Sequence, residues 1–231
     1  MRPSVVSFCD RTGKAVEPWL LAGYPCVIVD LQHPRGVTAG GLLTRVGASV
    51  FELHPYHRWM PQGAVCLGFA WPECTHFAYS GQRWRRENGP AATAEGFRLF
   101  AACWDLLRYY ERERGAAWML ENPKGIPWSW CKPDHAFHPW QYGDNESKET
   151  GIWCGGGFVM PPASVMLKPH DVRQSVWMEA PGPERANRRS VTPAGFAQAV
   201  FDSNEPRVRQ RLASELDERF VSGRRARRVH R

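Results

Sequence analysis

The chain of 231 residues has no long apolar run, no internal repeat and no paired-cysteine motif. No window approaches ~18 uninterrupted apolar residues, so no membrane span is expected. The opening residues lack the apolar stretch of a signal peptide, which points to the cytoplasm. The cysteines, at positions 9, 26, 66, 74, 103, 131 and 154, are odd in number and include no Cys-x-x-Cys pair. A disulfide scaffold and a structural zinc site are therefore not expected, and reduced thiols fit a cytoplasmic setting. The pairs His54/His57 and His135/His138 have metal-compatible spacing, but no acid or Cys completes either set, so no metal is expected.

What the chain does have is 11 Trp, 19 Pro and 21 Gly, the composition of a compact core wrapped by long structured loops. Its net charge of +7 is uneven, because residues 205–231 hold nine Arg against four acids. A basic terminus of this kind reads first as a solvated, partly disordered tail, and second as a source of phosphate contacts.

The first half alternates apolar runs with amphipathic segments. Strands are expected at residues 5–8, 26–30, 48–53, 64–70 and 116–120, and helices at 16–22 and 93–112. The alternation predicts an α/β fold with a mostly parallel, Rossmann-type sheet and helices on both faces. Residues 123–189 are irregular, with a strand at 152–154, and a helix follows at 193–201. The expected organisation is one catalytic domain over 1–204, with a small loop-rich insertion at about 124–186, and a basic tail over 205–231.

Ligands of open α/β sheets bind at the carboxyl ends of the strands. Three polar residues stand just after apolar runs: Asp30, Cys74 and Glu121. Taken singly, an acid there is usually a helix cap and a lone Cys a small core residue. In order they resemble the DNA cytosine-5 methyltransferases, and in particular short phage-type members of that family. Phe8-Cys9-Asp10-Arg11-Thr12-Gly13 resembles the cofactor loop, Pro72-Glu73-Cys74-Thr75-His76-Phe77 the nucleophile loop, and Glu121-Asn122-Pro123 the Glu-Asn-Val motif. Arg189-Ser190-Val191-Thr192-Pro193 resembles the late motif that returns to the cofactor pocket, and residues 137–142 and 147–153 resemble the phage-type members.

The resemblance implies a methyltransferase-like fold that binds S-adenosylmethionine and methylates C5 of a cytosine flipped out of DNA. It implies Cys74 as the nucleophile at C6 and Glu121 as the acid at N3 of the base. It implies Asp30 on the cofactor ribose, and Phe8, Asp10, Thr12, Gly13, Ser190, Val191, Thr192 and Pro193 around the cofactor. Arg83, Trp84, Arg85 and Arg86, after the nucleophile loop, combine a stacking ring with cations. With Arg185, Arg188 and Arg189 they are the expected nucleic-acid contacts.

Three departures keep two other readings open. Glu73 replaces the family's second Pro, Asp10 and Thr12 replace glycines, and the Gln-x-Arg-x-Arg motif is absent. The short region for target recognition fits covalent pyrimidine chemistry on single-stranded DNA or nucleotides. The altered loops fit a non-catalytic DNA-binding protein on a decayed methyltransferase scaffold.

Overall fold

The computed structural model describes residues 2–76, 78, 79, 85–164, 172, 187 and 190–229, the side chains of 85, 86 and 215–229 excepted. Its centre is a mixed sheet of eight strands. In chain order they are β1 (Ser4–Phe8), β2 (Cys26–Val29), β3 (Gly36–Gly40), β4 (Leu43–Gly47), β5 (Val65–Ala70), β6 (Ala117–Pro123), β7 (His135–Phe137) and β8 (Thr150–Gly155). The spatial order is β3-β4-β2-β1-β5-β6-β8-β7. The five middle strands, β4 to β6, are parallel, while β3 and β8 run antiparallel to their neighbours. β1, β2 and β5 are largely apolar runs whose side chains are buried on both faces, as a covered parallel sheet requires.

Helices cover both faces. One face carries α2 (Arg85–Arg114), whose Phe100, Cys103, Leu107 and Tyr110 pack on Val6, Phe8, Trp118 and Leu120. The short α3 (Pro127–Trp130) adds Trp128 to that layer. The opposite face carries α1 (Glu17–Leu21) and α4 (Ala194–Val229), which bring Trp19, Phe196, Val200 and Val208 against Val5, Ile28, Leu67 and Met119. No described helix is long and apolar enough to cross a membrane.

The parallel α/β architecture expected from the alternation is present, with four local differences. Residues 48–53 do not form a strand. Val50–Glu52 is a 3-10 turn, entered through a Ser49 side chain that accepts from the Phe51 N–H. The strands of this region are instead the β3–β4 hairpin at the sheet edge. Its outer strand is largely exposed and glycine-flanked, so it carries no apolar run to announce it. α2 begins eight residues earlier than its apolar stripe, across a kink at Gly89-Pro90. Finally, the region expected to be a loop-rich insertion supplies β7 as well as β8, which grows from the strand expected at 152–154, and both extend the sheet.

The basic terminus also differs from a solvated tail. α4 crosses residue 204 without a break. Glu205 is buried and accepts the Tyr24 hydroxyl at 3.0 Å, and Val208 is buried beside it. Arg211 donates to the Gly115 carbonyl. The first two turns of the expected tail therefore belong to the folded body.

Candidate functional site

Because β1, β2, β5 and β6 are parallel, their carboxyl ends share one edge. The chain moves outward from β1 to β2 on one side, and β5 and β6 continue on the other. Such a switch point leaves a crevice at the carboxyl edge between β1 and β5.

At the β1 end the chain turns through Cys9, held at φ 55°. Asp10 is buried and folds back on its own turn. It accepts the Ser7 hydroxyl at 2.8 Å and the N–H groups of Thr12 and Gly13 at 3.2 and 2.7 Å. Burial pushes its carboxyl above the ordinary range, against the lowering effect of those three donors. Phe8 is wholly buried, its ring 6.3 Å from that of Tyr110. Thr12 is exposed, and Gly13 opens the next 3-10 turn at φ 71°. At the β2 end Asp30 is half-buried, and its Oδ1 accepts the Gln32 N–H at 2.8 Å. The Gln32 amide in turn donates to the Asn187 side chain at 3.0 Å, joining this end to the segment that precedes Ser190.

The nucleophile loop is fastened from both sides. Trp71 donates its backbone N–H to the Phe8 carbonyl and its indole N–H to Ser7 Oγ, each at 3.0 Å. Asn122 donates from Nδ2 to the Pro72 carbonyl at 2.9 Å. Ala78 bridges Gly125, and the Tyr79 N–H reaches the Lys124 carbonyl at 3.0 Å. Cys74 is half-buried and packs against the core layer under α2. Glu73 beside it is exposed and accepts the Thr75 hydroxyl at 2.7 Å. The His76 ring faces the Asn88 amide at 3.4 Å.

Along β6 successive side chains alternate between faces. Asn122 therefore points under the Cys74 loop, and Glu121 to the α4 side. There Glu121 is buried and meets Lys148, with Nζ 3.3 Å from Oε1. Both line a small surface cleft. Trp71, Phe137, Pro139, Glu146, Thr150 and the late-motif residues Ser190, Val191, Thr192 and Pro193 complete its walls.

The late motif reaches the cleft because the start of α4 is clamped to the loop before β8. Asp144 accepts the Gly195 N–H at 3.0 Å, and the Phe137 and Phe196 rings stack at 4.0 Å. A Cβ on Gly195 would stand 1.8 Å from the Tyr142 carbonyl oxygen, so only glycine allows this approach.

The structure thus joins Glu121 with residues 190–193 in one cleft, and ties the Cys74 loop to Asn122 on the other face of the same strand. It brings Phe8, Asp10 and Asp30 to the neighbouring strand ends. Arg83, Trp84, Arg185, Arg188 and Arg189 lie outside the described residues, as do the side chains of Arg85 and Arg86. Trp71 was not singled out from the sequence, and its place directly before the nucleophile motif was the available signal. Asn122 and Lys148 lie inside the quoted stretches 121–123 and 147–153, but neither was given a role. Among the described residues no group of three or more His, Cys, Asp or Glu side chains lies close enough to hold a metal. No protein-family model matches the chain, and no curated protein matches it at a significant level.

Proposed function

We propose that the protein is an S-adenosylmethionine-dependent enzyme that methylates cytosine C5 in DNA through a cysteine adduct. The observation that carries this reading is the bond from Asn122 to the Pro72 carbonyl. It couples the Cys74 loop to the Glu121 strand end, two segments about fifty residues apart whose residue types suit covalent pyrimidine chemistry.

The residues present fit the cofactor in part. Asp30 stands half-buried at the end of β2, beside the switch point, where an acid can accept ribose hydroxyls. Asp10, by contrast, is engaged with its own turn, so that loop offers backbone and Thr12 rather than a carboxylate. When bound, the cofactor supplies an electrophilic methyl group. The Cys74 thiolate adds to C6 of the base, and Glu121 donates a hydrogen bond or proton to N3. C5 thereby becomes enamine-like and takes the methyl group. Loss of the C5 proton to a base then lets the C5=C6 double bond re-form, expelling the thiolate.

The Glu121–Lys148 ion pair favours a second reading. It engages the carboxylate that the chemistry needs, as a protein that binds DNA without modifying it would allow.

DNA carrying 5-fluorocytosine separates the two. Fluorine cannot leave C5 as a proton, so an enzyme is expected to stay covalently attached after methyl transfer. The adduct should require cofactor and Cys74. DNA binding with no adduct on duplex, single strand or nucleotide would leave the binding-protein reading.

A further inference from the structure

Trp71 and Phe137 both wall the Glu121 cleft, and they are held differently. Phe137 is buried and stacked on Phe196, so its ring belongs to the core. Trp71 is half-buried, its ring 6.1 Å from that of Phe69. Its polar atoms are tied back to β1. The backbone N–H bonds the Phe8 carbonyl and the indole N–H bonds Ser7 Oγ, each at 3.0 Å. Ser7 donates in turn to Asp10 Oδ2 at 2.8 Å. An indole N–H can only donate, so Ser7 Oγ accepts from the ring and passes its own hydrogen to the carboxylate. Asp10 Oδ1 takes the N–H groups of Thr12 and Gly13. The Trp71 ring is therefore the outer end of a relay that begins in the backbone of the turn after β1.

The fold alone does not call for this relay. A half-buried tryptophan can give its N–H to water. Ser7 and Asp10 are both buried, Ser7 in a central parallel strand where apolar side chains are the rule, and burying a hydroxyl and a carboxylate is costly. What the relay adds is a fixed plane for the indole, on a wall of the cleft that holds Glu121. An acid meets a base at its edge, and edge contact alone leaves the base free to tilt. A flat face beside the acid removes that freedom. Enzymes that act on a single base read it by hydrogen bonds to the edge and stacking on the face. We infer that the target pyrimidine stacks on Trp71 while Glu121 meets its edge, with Ser7 and Asp10 as positioning residues that set the plane of the indole. This rests on the reading of Glu121 as the base-binding acid, and it names the residue that selects a flat ring there.

The test compares two fluorescein-labelled single strands of equal length by anisotropy, without cofactor. One is oligodeoxycytidylate, and the other carries abasic sugars throughout. The abasic strand reads phosphate contacts alone, so the ratio of the two affinities reads the base. Trp71→Leu keeps an apolar side chain and removes the ring. It is expected to lower the ratio about 5- to 150-fold, the range for losing one base–aromatic stack, and to leave abasic binding unchanged. Trp71→Phe restores a ring and should recover most of the ratio. Ser7→Ala keeps the indole but frees its plane, so the ratio should fall by less than in Trp71→Leu, with the abasic strand again unaffected. A role confined to the fold would move both strands together. A ratio within twofold of wild type in folded Trp71→Leu, or in Ser7→Ala should Trp71→Leu fail to fold, would overturn the inference. So would Trp71→Phe as weak as Trp71→Leu, or a wild type that binds both strands equally. Neither cofactor nor Cys74 enters the measurement. A protein that forms no 5-fluorocytosine adduct but loses base preference in Trp71→Leu would keep the stacking face and lose the chemistry. One that forms the adduct with the ratio unchanged in Trp71→Leu would do the reverse.

Discussion

The two halves of the sheet's carboxyl edge are built differently. At the β1 end the polar side chain turns inward: Asp10 holds Ser7, Thr12 and Gly13, and Phe8 is sealed in the core. At the β5 and β6 ends the polar side chains are aimed at open space or at one another. Glu121 and Lys148 face a cleft, and Asn122 grips the loop that carries Cys74. The difference teaches that strand-end position alone does not make a residue a ligand contact. A carboxylate that already has three short-range donors is a brace. A carboxylate at a cleft, whose partner is a lysine 27 positions away, is held by tertiary structure rather than by its own turn.

The comparison breaks most visibly at Cys74. Cys74→Ser should abolish adduct formation with 5-fluorocytosine DNA altogether, read by denaturing electrophoresis. Glu121→Gln should slow it by ~10²–10⁴-fold, the range for removing a positioned acid–base group. Cys66→Ser should react like wild type, because Cys66 is buried in β5 and burial pushes its thiol up to about 12. A Cys66→Ser variant that fails to trap, while still folded, would move the reactive thiol away from the β5 loop.

Next in size are changes to the scaffold of the open half. Gly195→Ala gains intrinsic helix propensity, worth ~1 kcal/mol, yet its Cβ meets the Tyr142 carbonyl oxygen. The overlap requires a backbone shift, and a net loss of ~1–3 kcal/mol is expected in chemical denaturation. Unchanged stability would mean that α4 approaches this loop less closely. Asn122→Leu should lose ~1–3 kcal/mol by leaving the buried Pro72 carbonyl without its donor. It should also slow trapping, since the Cys74 loop loses its tie to β6. A stability loss with trapping unchanged would reduce Asn122 to a packing role.

How much of this was legible in the sequence follows from the same contrast. The central parallel strands were readable because burial on both faces makes them continuous apolar runs, as in Cys26–Val29 and Val65–Ala70. β3 was not, because an exposed edge strand needs no apolar side chains. The continuation of α4 through Glu205 was hidden by its charges, since a buried glutamate bonded to Tyr24 looks like any acid in a basic stretch. For the site, motif order located the strand ends, but which carboxylate turns inward depends on loop geometry. Asp10 bonds residues two and three positions ahead, and nothing in Phe8-Cys9-Asp10-Arg11-Thr12-Gly13 distinguishes that brace from a ligand contact. Lys148 is 27 positions from Glu121, and only the antiparallel pairing of β6 with β8 brings them together.

The smallest expected effect lies in the closed half, and it has a definite sign with pH. Burial raises the Asp10 carboxyl above its ordinary value of 3.8 in the folded protein. The folded state therefore prefers the protonated form more than the unfolded chain does. Stability from this residue is fully present below the unfolded value, and declines as pH rises through the folded one. Asp10→Asn removes the charge while keeping an oxygen that can accept from the Thr12 and Gly13 N–H groups, and an amide that can donate to Ser7 Oγ. The variant should match or exceed wild-type stability at neutral pH. The advantage should shrink to nothing as pH falls to the ordinary carboxyl range, as followed by urea unfolding at pH 7 and pH 4. A cofactor-binding measurement at pH 7 completes the comparison. If Asp10 is only a brace, Asp10→Asn binds S-adenosylmethionine like wild type, whereas Asp30→Asn weakens it. Loss of binding in both would place Asp10 among the ligand contacts and erase the distinction between the two halves of the edge.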